Sequence, residues 1–210
     1  MEASLFFKAM LIGLSIAAPV GPIGLLCIQR TLAHGMRTGF VSGMGAACAD
    51  AVYGAIGAFG MVAVTDYFVS LSTPLAIVGA LFLGWMGVKL LLTKNEAGQA
   101  ASVGAQKTGR AFISVFALTL ANPMTIISFV AVFASIAGPT VLGHAAAGLM
   151  VVGVFLGSAI WWLMLSAGVA LLSRQVGTSV LGLINRLGGL LLLGFAIWQI
   201  LQIWQVWKVF

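Results

Sequence analysis

Asp50 sits in the stretch GMGAACADAVYG, Gly43 to Gly54, far from any other acid in an apolar run. A carboxylate near the middle of a membrane-crossing helix costs about 2.5–3.5 kcal/mol, so it belongs on the protein-facing side, where intramembrane acids carry protons or meet cations. Proton carriage of this kind is what a proton-coupled exporter needs. The competing reading makes Asp50 a partner for a positive substrate, or a structural hydrogen bonder to Tyr53 three residues along. A second chemistry-bearing stretch is LSIAAPVGPIGLL, Leu14 to Leu26. Pro19 and Pro22 each remove a backbone donor and free carbonyls upstream, and Gly21 and Gly24 let the chain bend or a substrate approach. Asn122-Pro123 repeats the break farther on, with an amide that both donates and accepts. Freed backbone groups at a half-helix end can hold a zwitterion or ion without a dedicated charged side chain. Ser15, Tyr53, Thr119 and Trp161 are further candidates for the wall of such a cavity.

Other chemistries find no support. His34 and His144 fall in separate connections, and no His, Cys or Asp cluster has metal-ligand spacing. There is no phosphate loop, catalytic triad signature or cofactor box, so neither an enzyme nor a cofactor is expected. Cys27 and Cys48 both lie in or beside apolar segments and read as small core residues rather than a disulfide.

The elements that must position these residues follow from composition. The chain has 210 residues, 61% hydrophobic and only 7% charged, with a mean hydropathy of +1.15. A soluble domain has no place for that much apolar surface. The expected class is all-α, a polytopic membrane protein of one domain covering residues 1–210. Expected spans are 5–28, 38–64, 74–93, 110–136, 145–172 and 183–207, since about 20 apolar residues cross a bilayer. The start, MEASLFFKAML, has no basic leader region and reads as a retained first helix. The net charge of +6 would suggest nucleic acid in a soluble chain. Here the basic residues mark helix ends instead, and no nucleic-acid partner is expected.

Arg30, His34 and Arg37 are assigned to the first connection. Lys89, Lys94, Lys107 and Arg110 frame the third, and Arg174 and Arg186 the fifth. The second connection carries Asp66 and no Lys or Arg, and the fourth, AGPTVLGH, has neither. The positive-inside rule puts the odd connections in the cytoplasm and both termini outside, with Lys8 and Lys208 dissenting. The segment KNEAGQAASVGAQKTG reads as a flexible linker over about 94–109. It separates two similar halves, 1–93 and 110–210. LSIAAP (Leu14 to Pro19) aligns with LTLANP (Leu118 to Pro123), and GALFLG (Gly79 to Gly84) with GLLLLG (Gly189 to Gly194). Three spans per half make the repeats inverted, with proline-broken helices 1 and 4, a pattern of secondary transporters whose sites lie at paired discontinuous helices. Broken helices are tolerated at membrane depth where they line a cavity. The small-residue spacings GFVSG and GVFLG read as close helix packing, within one chain or in a homodimer.

Taken together, APVGPIGLL, GFVSGMGAACADAVYG, GALFLGWMGVKLL and RAFISVFALTLANPMTIISF resemble the LysE-type translocators, six-helix amino-acid exporters of bacterial inner membranes. The resemblance covers about the first two thirds of the chain. It implies a site at Pro19, Gly21, Pro22, Asp50, Asn122 and Pro123. Many members have an asparagine after the glycine-proline pair, where this chain has Ile23-Gly24, and a lysine after the asparagine-proline pair, where it has Met124. Both departures remove polar groups, so the resemblance implies a neutral or apolar amino acid as readily as a basic one. The expected partners are an amino acid, protons and the bilayer. Two alternatives remain at this stage: an inorganic-cation exporter, which needs converging oxygen or sulfur ligands, and a membrane thiol-disulfide electron carrier, which needs cysteines in both halves.

Overall fold

The computed structural model describes residues 2–60, 67, 70–92, 108–122, 125–126, 128–129, 132, 143–173 and 178–207. Among these, the regular elements are helices: α1 (Glu2–Ala17), α2 (Pro22–His34), α3 (Met36–Ala58), α4 (Ser72–Leu92), α5 (Thr108–Leu120), α6 (His144–Ser173) and α7 (Thr178–Trp207). Four of them, α3, α4, α6 and the Gly182–Gln205 part of α7, are long and apolar enough to cross a membrane. A fifth span exists if α1 and α2 are counted as one, bent by 79° at the proline break. Helix α5 is apolar but shorter. The chain is therefore a multi-pass, all-helical membrane protein.

Helix α3 is central, packed against α6, α5 and α2. Helix α1 lies along α6, α4 lies along α7, and α2 reaches α3, α5, α6 and α7. Glycine sets the closest approaches. A Cβ at Gly157 of α6 would overlap the Met10 carbonyl of α1, and one at Gly45 of α3 would overlap the Phe112 carbonyl of α5. Both contacts are backbone against side-chain-free backbone, the membrane solution to helix association without a hydrophobic drive. Gly43 seats the Trp162 ring in the same way, and Gly153 meets Phe6, Ala9 and Met10. The expectation of close packing at GFVSG and GVFLG points to these contacts within one chain.

The structure corrects the first connection. Residues 29–37 are not a loop: α2 runs to His34 and α3 starts at Met36. The only break is Gly35, whose φ of +84° suits glycine. Arg30, read from sequence as a topological marker outside the membrane, is 4% exposed within the bundle. The apolar pattern stops at Ile28 because Gln29, Arg30 and Thr31 are polar, but all three are buried by neighbouring helices. Helix also begins at Thr108, inside the expected linker. Most of that linker, Asp66 of the second connection, nearly all of the fourth connection, and Pro123 lie outside the described residues. The expected fourth span, 110–136, is described as α5 followed by a turn at Ala121 and scattered helical residues from Thr125 to Val132.

Candidate functional site

The break between α1 and α2 is the local origin of the site. Ala18 N–H closes the last turn of α1 on the Leu14 carbonyl at 2.9 Å, and Pro19 then offers the Ser15 carbonyl no donor. Pro22 takes the first position of α2, behind an N-cap Gly21 that makes no side-chain cap. Gly21 accepts from Leu25 N–H at 3.0 Å. Ile23 and Gly24 come earlier in the first turn, where a helix has no carbonyl of its own to receive their N–H groups. The N-terminus of α2 thus presents donors and a positive dipole end.

These groups line a cavity of about 80 Å³ together with Ile16, Ala17 and Pro19 of the same break, Ala46 and Asp50 of α3, Thr119 and Asn122 at the end of α5, Thr125, and Trp162 of α6. The volume is far below the ~300–1,000 Å³ of drug-sized pockets and amounts to about three waters. Asn122 marks the second break: its N–H reaches the Thr119 carbonyl at 3.2 Å, and its own carbonyl accepts from Thr125 and Ile126 at 3.1 and 3.3 Å. Both backbone breaks therefore open on one space, and the acid stands between them.

Asp50 is 3% exposed. Its Oδ2 accepts from Ser158 Oγ at 2.7 Å, and Ser158 Oγ accepts in turn from Trp162 Nε1 at 3.1 Å. This chain of donors fixes one carboxyl oxygen from the α6 side, as a buried polar group requires. Thr119 spends its hydroxyl hydrogen on the Val115 carbonyl at 2.9 Å, so it offers the cavity an acceptor.

Of the residues expected from sequence, Pro19, Gly21, Pro22, Asp50, Thr119 and Asn122 meet at this cavity. Ser15 is exposed on α1 and Trp161 is half-buried, and neither is on the lining. Trp162 is there instead, its ring seated against Gly43 of α3 and its Nε1 donating to Ser158. Tyr53 is also off the lining: it stacks on Phe129 with centroids 5.8 Å apart and donates to the Leu120 carbonyl at 2.5 Å. Asp50 is thus held by Ser158 rather than by the Tyr53 bond considered from sequence. Ser158 and Trp162 were missed in those roles. Their signal was available, since Ser158, Trp162 and Ser166 recur every four residues on a helix that is otherwise almost wholly apolar.

Comparison with known proteins follows the same pattern. Residues 14–202 match the family model described as LysE type translocator. YcgF of Bacillus subtilis, named provisionally for amino acid efflux, is 28% identical over 75% of this chain and 77% of its own. The threonine efflux protein of Salmonella typhi is 25% identical over 94% of this chain and 98% of its own. A Pseudomonas aeruginosa relative, 26% identical over 64% of this chain and 66% of its own, bears the name chemotactic transduction protein ChpE. No solved structure matches.

Proposed function

Given that the chain belongs to the LysE type translocator family, we propose that it is a secondary transporter that exports an amino acid or a related small metabolite across the bacterial inner membrane, driven by inward protons. The observation that carries this reading is the cavity in which the Pro19–Pro22 break, Asp50 and the Asn122 break meet. The uncapped N-terminus of α2 suits a carboxylate, and Asp50 suits an ammonium group or, when that is absent, a proton. A zwitterion needs both. The relatives named for threonine and for provisional amino acid efflux support the amino-acid class.

Inverted repeats, about 1–93 and 110–210, place the two breaks in corresponding positions, and rocking of one repeat against the other would expose the cavity alternately. The basic odd connections belong in the cytoplasm and the termini outside. The exposed apolar faces of α4 and α7 suit lipid or a second copy. The cation-exporter alternative is not favoured: among the described residues no three His, Cys, Asp or Glu side chains are grouped to hold an ion. Nor is the electron carrier, whose cysteines in both halves are missing here; Cys27 and Cys48 are free thiols of the first half.

The test is counterflow of a panel of radiolabelled amino acids in proteoliposomes, with and without a pH gradient. Exchange of one amino acid, with accumulation that collapses when the gradient is dissipated, is the expected result. Asp50→Asn should abolish gradient-driven accumulation in folded protein. Undiminished proton-driven export by that variant would remove Asp50 from the mechanism.

A further inference from the structure

The far half of α2 carries a second polar assembly that the cavity does not use. Arg30 Nη1 donates to Ser42 Oγ of α3 at 3.0 Å and to the Ala111 carbonyl of α5 at 2.8 Å, and Nη2 donates to Ser114 Oγ of α5 at 2.8 Å. Each hydroxyl has already spent its hydrogen, Ser42 on the Thr38 carbonyl and Ser114 on the Ala111 carbonyl. Both can only accept, which suits them to a cation. Among the described residues Arg30 makes no ion pair, and its Nε is buried without a hydrogen-bond partner. A cation buried among neutral acceptors is held more weakly than one paired with a carboxylate in good geometry. Beside it, both heteroatoms of the Gln29 amide are buried and unpartnered, a second cost that the closed packing of α2 leaves unrelieved.

The assembly sits between the cavity and one end of the molecule. Ser42 precedes Asp50 by eight residues on α3, about 12 Å along the axis. Arg37 and Arg110 flank it in sequence at that same end, the basic end that faces the cytoplasm. Between Arg30 and the cavity lies Cys27, fully buried with Ala17, Ala46 and Trp162, three residues that also line the cavity. Helices α3 and α5 touch backbone to backbone at Gly45, so they hold together. Helix α2 runs between the Pro19–Gly21 break and the Gly35 joint and packs on α3, where a Cβ at Gly39 would overlap Thr31; its tie to α5 is the Arg30 side chain.

We propose that Arg30 is the gating residue of the cytoplasmic end: its guanidinium closes the path to the cavity by clasping α2 to α5, and α2 parts from α5, turning between the proline break and the Gly35 joint, when those bonds are released. The exporter reading enters only in saying which way the gate faces. Neutral acceptors make the clasp releasable; an anion there would lock it.

The experiment uses the full chain with Cys48→Ser, leaving Cys27 as the sole thiol, in inside-out and right-side-out vesicles treated with a charged, impermeant maleimide. Arg30→Gln should raise Cys27 labelling about tenfold from the cytoplasmic face alone. Ser114→Asp should slow labelling below the parent, cut exchange of a radiolabelled amino-acid mixture about tenfold or more, and leave the melting temperature equal or higher. Labelling unchanged in Arg30→Gln, or raised equally from both faces, overturns the gate, the second result marking a loosened fold. So does Ser114→Asp that labels and exchanges like the parent. Should Arg30→Gln fail to fold, Ser114→Asp decides. The labelling arm requires no transported substrate, so absence of amino-acid exchange in every variant would fault the exporter reading while leaving the gate to be judged by accessibility.

Discussion

Helices α3 and α4 are of similar length and both can cross a bilayer, yet they are built inside out with respect to each other. Over its membrane window α3 is 61% buried and α4 only 28%. The buried one is the less apolar: it carries five glycines, two serine or threonine residues and Asp50 between Met36 and Ala58. Helix α4 instead exposes Ile77, Val78, Leu81, Trp85, Val88 and Leu92. In water the order would be reversed. In lipid, apolar side chains gain little by leaving the solvent, so the interior goes to residues small enough for backbones to touch and polar enough to bond across helices. A shallow depression along Trp85, Val88, Lys89 and Leu92 belongs to this exposed face of α4.

The contrast can be broken at its strongest point by Gly157→Leu, which drives a side chain into the α1 backbone. Overpacking of this kind costs about 1–3 kcal/mol or more, and with backbone as the obstacle the expected outcome is loss of monodisperse protein in detergent-extracted size-exclusion profiles. Ser158→Ala is smaller: it removes the donor to Asp50 Oδ2, a bond worth about 1.5–3 kcal/mol if the carboxylate is charged. Folded protein with transport reduced about ten- to a hundredfold is expected in the counterflow assay. Trp162→Phe keeps the ring against Gly43 and loses only the N–H to Ser158; a fall in transport smaller than that of Ser158→Ala is the expected outcome. Leu81→Ala on α4 should shift thermal stability by less than ~0.5 kcal/mol and leave transport unchanged, as an exposed position predicts. A Leu81→Ala variant as damaged as Gly157→Leu would mean that the α4 face is covered, as in a close homodimer.

The legible part of the site was its backbone. Proline and glycine at residues 19–24 announce a helix break wherever they occur in an apolar run, because the missing donors and the ring clash are local facts. Asp50 was legible for the same reason, since a charge in such a run is costly irrespective of what surrounds it. The exact lining was not. Whether Trp161 or Trp162 reaches the cavity depends on the rotation of α6 about its axis, and that is set by where Gly43, Gly153 and Gly157 let α3 and α1 approach. Arg30 was misplaced for a related reason: a lone arginine at the end of an apolar run is usually a topological marker, and only the acceptors on α3 and α5, distant in sequence, convert it into an interior residue.

The sequence by itself determined that this is a multi-pass helical membrane protein, where its first helix breaks, and that Asp50 must be sheltered. These follow from transfer costs and backbone geometry that each segment carries alone. Only the tertiary structure decided that the two breaks share one cavity, that Ser158 and Trp162 hold the acid, and that Arg30 is inside. Those depend on helix rotation and contact between residues some 80 to 110 positions apart, and glycine-to-backbone contacts fix them in a medium where hydrophobicity no longer distinguishes inside from outside.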